Sequence, residues 1–221
     1  MDINEQLKAI KTEFRLSMNG KVSQSMRESG FQYKLNFGVE LPRIKAIATN
    51  FPQDFHLAQA LWNEDIRECK IAASLLMPIE NFTPDMAELW VEQINNIEIA
   101  ELTVMNLFQK LSYAPSLSFK WIADEREFIQ TCGFFTIARL LGIKGEMNDR
   151  AESEFLDQAI VSALSPNYNV RQAATVAIKK YMLCNEEHAF KVCRLVECYS
   201  EAQSEEEQAL YNMVSSNIIE G

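Results

Sequence analysis

The sequence predicts an all-α protein of stacked antiparallel helix pairs, and three observations carry that prediction. Glycine and proline are scarce, at 7 and 6 among 221 residues, about half of the ~12% in average usage. That speaks against a turn-rich sandwich or barrel. Apolar or small side chains recur with helical spacing nearly everywhere. From Val170 they fall at 170, 173, 174, 177, 178 and 181, one face of a 3.6-residue helix, and no comparable stretch alternates with period two. There is also a weak internal repeat. Ala60-Leu61, a polar turn and Ile66-Arg67 parallel Ala163-Leu164, a polar turn and Val170-Arg171, with Ile97-Glu98 and Ile129-Gln130 at equivalent positions between them.

The steps from 67 to 98 to 130 to 171 are 31, 32 and 41 residues. That range suits helix hairpins of the HEAT type, whose faces bury only against stacked neighbours. Unrelated helices packed as in a globin or bundle are the alternative. The expectation is one domain over residues 1–221, a HEAT-like helical-repeat solenoid of ten to twelve helices. A basic helical segment over about 1–50 precedes repeats over about 51–221.

Along the chain, Gly38 permits a tight turn before a helix starting near Leu41-Pro42. Leu61 and Trp62 are placed between adjacent helix pairs, and Glu64, Asp65 and Arg67 are read as capping and pairing at the next helix start. Thr83-Pro84 reads as an N-cap followed by proline at the first helical position. Ser165-Pro166-Asn167 reads as a break between helices. Glu201 with Glu205-Glu206-Glu207 reads as a solvated loop and helix start, where acids are favourable.

Several function classes lose their signatures. The seven glycines form no GxGxxG, phosphate-loop or GxSxG motif, so those nucleotide and hydrolase folds are disfavoured. Two histidines, His56 and His188, are too few for a three-histidine zinc site. Cys193, Cys198 and His188 lie within eleven residues, but the spacing fits no zinc pattern and small-hydrophobe packing is the plainer reading. No cofactor or metal is expected. Five cysteines without a CxxC pair suit reduced thiols. The start Met-Asp-Ile-Asn-Glu is acidic where a signal peptide needs a basic one. The longest apolar runs, 71–79 and 134–143, are too short for a bilayer. The expected setting is cytoplasmic, away from membranes.

The net charge of −10 argues against generic nucleic-acid binding. It is unevenly spread: residues 1–50 hold eight Lys/Arg and five Asp/Glu, whereas 51–221 hold 13 and 26. A basic segment on an acidic body is either an electrostatic footprint or a solvated first helix.

Asn36-Phe37-Gly38-Val39, then Leu41-Pro42-Arg43-Ile44-Lys45-Ala46-Ile47-Ala48, then Ala60-Leu61-Trp62-Asn63-Glu64-Asp65-Ile66-Arg67-Glu68 closely resembles the DNA alkylation repair enzymes. These are bacterial HEAT-like DNA glycosylases that excise alkylated purines, and weaker similarity runs to about Tyr181. The resemblance implies a solenoid that binds duplex DNA on its concave face. It further implies an aromatic cleft for a cationic base, a carboxylate facing the oxocarbenium-like sugar and arginines on phosphates. The family places a tryptophan four residues before an aspartate, then an arginine on a later helix, then a second tryptophan.

In this sequence those four slots hold Ile97, Glu101, Thr131 and Val176. Only Glu101 keeps the chemistry of its slot. It is therefore the candidate catalytic carboxylate, flanked by Ile97 and Val104, where burial would raise its pKa; a structural or surface helix glutamate is the plainer reading. Lys34, Arg43, Lys45, Arg171, Lys179 and Lys180 are the candidate DNA contacts. Losing both aromatic surfaces and the arginine implies a poor or inactive glycosylase. The alternative function is a non-enzymatic HEAT-repeat module that binds a protein partner, which the acidic balance suits.

Overall fold

The computed structural model describes residues 2–31, 33–143 and 146–219. They form thirteen α-helices: α1 (Ile3–Leu16), α2 (Gly20–Glu28), α3 (Leu41–Ala48), α4 (Phe55–Asn63), α5 (Arg67–Leu76), α6 (Pro84–Glu92), α7 (Ile97–Asn106), α8 (Ala114–Ile122), α9 (Glu127–Gly142), α10 (Asp149–Ala163), α11 (Tyr168–Met182), α12 (Glu186–Val196) and α13 (Glu205–Ile219). This is one more than the upper end of the expected ten to twelve. Among the described residues the β structure is a single isolated parallel bridge, Leu35 to Ile66. None of their helices is long and apolar enough to cross a membrane. The chain divides into two compact units, Met1–Leu111 and Ser112–Gly221.

In the first unit, side-chain caps start most helices. Asp2 and Glu5 form a capping box on α1; Asn19, Asp54, Thr83 and Asn96 accept from the first turns of α2, α4, α6 and α7. Each satisfies an otherwise orphaned N–H. The start of α5 departs from the sequence reading. Its N-cap is Ile66, with no side-chain cap, and the Arg67 N–H donates to the Leu35 carbonyl at 3.1 Å. Glu64 instead pairs with Lys11 at 2.9 Å, and Asp65 is exposed. An apolar residue occupies the cap because a neighbouring backbone segment supplies the acceptor.

The core of this unit centres on Trp62 stacked on Trp90, with centroids 4.0 Å apart and planes 3° from parallel. Phe82 meets Trp90 edge-on at 5.0 Å. The repeat in sequence is realised as contacts about one repeat apart. Trp90 Nε1 donates to Gln59 at 3.2 Å, Asn106 donates to Ser74 at 2.9 Å, and Arg67 reaches Glu98 at 2.7 Å.

In the second unit, α9 packs against α8 and α11, and α11 also against α10 and α12. Gly133 allows the α8–α9 contact, since a Cβ there would sit 2.7 Å from the Ile122 nitrogen and 3.0 Å from the Ser118 carbonyl oxygen. Val170, Ala173, Ala174, Ala177, Ile178 and Tyr181 are all buried, matching the helical spacing read from the sequence. Ser165–Asn167 separates α10 from α11, and Asn167 caps the latter. Gln130 bridges to the Ile122 carbonyl at 3.0 Å and to Ser162 at 3.4 Å.

Candidate functional site

Residues 33–39, within the basic segment of the first unit, are held by a buried ionic latch. Arg67 is 4% exposed and Glu68 fully buried. The Arg67 guanidinium donates to both oxygens of Glu98 at 2.8 and 2.7 Å. It also donates to Glu68 at 3.1 Å and to the Val39 carbonyl at 2.8 Å. Glu68 in turn accepts the N–H groups of Phe37 and Val39 at 3.2 and 3.1 Å. The Tyr33 hydroxyl donates to Glu98 and lies 3.1 Å from Asn96 Oδ1. Burial and the Glu98 charge push the Tyr33 phenol well above its ordinary range. Residues 33–39 are thereby tied to the starts of α5 and α7, which fixes the stem that carries Lys34 and leads into α3. The sequence places Arg67 at a helix start and Glu98 one repeat step later, but no local pattern shows that the two touch or that Tyr33 joins them.

Of the candidate DNA contacts in this unit, Lys34, Arg43 and Lys45 are exposed. Arg43 donates to Ser17 Oγ at 3.0 Å and lies 3.5 Å from Glu13. Glu101 is also exposed, on the second turn of α7. The buried carboxyl considered from its apolar neighbours is therefore not realised: Ile99, Ala100, Leu102 and Val104 fill the packed side of α7 and Glu101 takes the solvent side.

The other slots lie in the second unit. Thr131 is fully buried in α9, its hydroxyl without a hydrogen-bond partner, and Val176 is half-buried on α11. All three tryptophans, 62, 90 and 121, are core residues at 1% exposure or less. They form no open aromatic cleft. Lys179 and Lys180 are exposed in the last turn of α11. Arg171, at the other end of that helix, is half-buried: it donates to the Ser165 carbonyl at 2.6 Å and lies 5.8 Å from the exposed Tyr168 ring. It shares a cleft of about 370 Å³ with Glu205 and Glu206 of α13.

A second charged cluster carried no sequence signal. Glu152 accepts from the Tyr181 hydroxyl at 2.5 Å and from Lys191 at 2.8 Å, and lies 3.3 Å from His188 Nε2. The His188 ring stacks on Tyr181 at 4.1 Å. The Lys191 ammonium and the Tyr181 hydroxyl hold the Glu152 carboxyl below the usual range. His188 thus belongs to a carboxylate knot between α10, α11 and α12. Among the described residues no group of three or more His, Cys, Asp or Glu is arranged to hold a metal.

Residues 10–191 match the sequence model of the family described as DNA alkylation repair enzyme. No curated protein matches the chain in sequence. Among solved structures, it is similar to one from a family related to the HEAT-like repeat DNA glycosylases with affinity for branched DNA structures. The TM-score is 0.78 at 15% identity, covering 89% of this chain and 83% of that one, a likeness of fold.

Proposed function

This chain belongs to the DNA alkylation repair enzyme family, and from that premise we propose that it is a DNA-binding member with little or no glycosylase activity. It binds duplex DNA on the concave face expected of stacked helix pairs, through Lys34, Arg43, Lys45, Arg171, Lys179 and Lys180. The observation that carries this reading is the contrast between the two sets of side chains. Five of the six cations are exposed, whereas every tryptophan is buried and the slot for a phosphate-binding arginine holds a buried threonine. Cations on the surface attract phosphates regardless of sequence. An alkylated purine, however, needs an aromatic face beside the carboxylate to be held. Glu101 alone supplies a field without a base-binding surface.

A salt-dependent binding titration tests the proposal. With three to five phosphate contacts, log K falls against log salt with a slope of about −3 to −4.5. Neutralising Lys179 and Lys180 together reduces that slope by up to about 2. The structural relative's affinity for branched DNA supports including junctions among the substrates. The protein-interaction reading is favoured by the net charge of −10. Absence of binding to any DNA at low salt selects it.

A further inference from the structure

The two apolar residues at the α1–α2 corner have no part in the site described above. Leu16 is 75% exposed, the highest value among the described large hydrophobics, and Met18 is 58% exposed. A single exposed leucine needs no explanation. Two within three residues, on a rigid corner inside the basic segment, are a different matter.

The corner is clamped from below. The Asn19 N–H donates to the Phe37 carbonyl at 2.9 Å, and Asn19 Oδ1 accepts from the Val22 N–H at 3.3 Å. Ser23 Oγ donates to the Asn36 carbonyl at 2.8 Å. Gly38 has φ +71°, and a Cβ there would lie 2.3 Å from the Asn19 carbonyl oxygen. Only glycine permits this approach. The two side chains therefore stand on a fixed platform.

Beside them lies a cleft of about 590 Å³, lined by Met18, Lys21, Gly38, Glu40 and Arg43 among others. Arg43 donates to Ser17, the residue between the two apolar side chains, and lies 3.5 Å from Glu13, an ion pair exposed enough for a phosphate to compete with. Arg15 and Lys21 are exposed on either side of the corner. Glu40 marks the wall that a phosphate avoids.

We propose that this corner is a DNA-wedging site, in which Leu16 and Met18 enter an interrupted base stack while Arg15, Lys21 and Arg43 hold the flanking phosphates. Apolar wedges flanked by cations are how proteins open or occupy base steps. Unstacking a continuous duplex costs a few kcal/mol per step, so the site prefers DNA whose stacking is already broken, at a branch, gap or nick. Two apolar side chains are too few to anchor an amphipathic helix in lipid, which favours DNA over an anionic membrane. The inference rests on the DNA-binding reading and adds to it a place and a substrate preference.

The test compares the full-length protein with Leu16→Ser/Met18→Ser on a three-way junction and on a continuous hairpin duplex of equal length. The variant keeps the wild-type melting temperature, because both side chains are exposed. Its junction affinity falls about tenfold, ~1.4 kcal/mol, while its duplex affinity changes less than about twofold. A 2-aminopurine at the branch point brightens on binding the wild type and not on binding the variant. Neutralising Arg15, Lys21 and Arg43 weakens both substrates and flattens the salt slope by about 2 to 3. A variant that keeps the junction preference and the brightening overturns the wedge, as does a wild type that binds junction and duplex alike, with DNA binding itself intact. Binding to vesicles containing anionic lipid that the serine variant loses assigns the corner to a membrane and also overturns it. A wild type that binds no DNA at low salt removes the wedge and the DNA-binding reading together.

Discussion

Replacing Arg67 by methionine opens the latch that ties residues 33–39 to α5 and α7. The substitution keeps an apolar stem and removes the guanidinium, which makes two contacts to Glu98, one to Glu68 and one to the Val39 carbonyl. Removing one partner of a buried ion pair costs about 3–5 kcal/mol, because the other charge stays buried. Here Glu68 retains two backbone donors, and Glu98 is 16% exposed and keeps the Tyr33 hydroxyl. The expected loss is therefore at the lower end, about 3 kcal/mol, or a melting temperature lower by roughly 6–12 °C for a chain of this size. Arg67→Lys keeps a charge but loses the two-pronged contact to Glu98, and should fall between wild type and Arg67→Met. Urea unfolding followed by far-UV circular dichroism measures the loss. Trypsin cleavage after Lys34 reports the local effect, since a freed segment is cut faster. A loss below about 1 kcal/mol with unchanged cleavage at Lys34 would show that this network does not hold residues 33–39 in place.

Single-turnover release of N7-methylguanine from duplex DNA should stay near the uncatalysed rate, and Glu101→Gln should barely change it; fast release that collapses in Glu101→Gln would make Glu101 the catalytic carboxylate of a working enzyme. Thr131→Val should stabilise the protein by about 1 kcal/mol, because it removes a buried hydroxyl that has no partner; a destabilised variant would reveal a partner for that hydroxyl. Gly38→Ala should lower the melting temperature and loosen the α1–α2 corner, since both the positive φ and the 2.3 Å approach to Asn19 oppose a Cβ; a wild-type melting curve would contradict this. The Glu152 carboxyl is lowered in the folded state, so its stabilisation is full above the ordinary carboxylate range, about pH 4.3, and is lost as pH falls through its lower folded value. Lys191→Met should therefore flatten the acid limb of the stability curve, and an unchanged limb would show that the Lys191 contact does not set that pKa.

The sequence by itself determined the class of fold, the helical face of α11, the break before it and the turn at Gly38. Each is a local property: apolar spacing, a proline at a helix start or a backbone angle that only glycine takes easily follows from a few consecutive residues. It also showed that the tryptophans are missing from the slots where the family keeps them. The tertiary structure alone decided which residues meet across repeats. Arg67 and Glu98 are 31 positions apart, and Glu152 and Lys191 are 39 apart; no local pattern selects those partners, because stacking sets which helix starts adjoin. Burial inside an apolar helix was equally hidden. Residues 131–138 of α9 are buried without exception, so spacing gave Thr131 no solvent side. On α7, Glu101 found one beside equally apolar neighbours. Packing from neighbouring helices on several sides, rather than the helix's own sequence, made that difference.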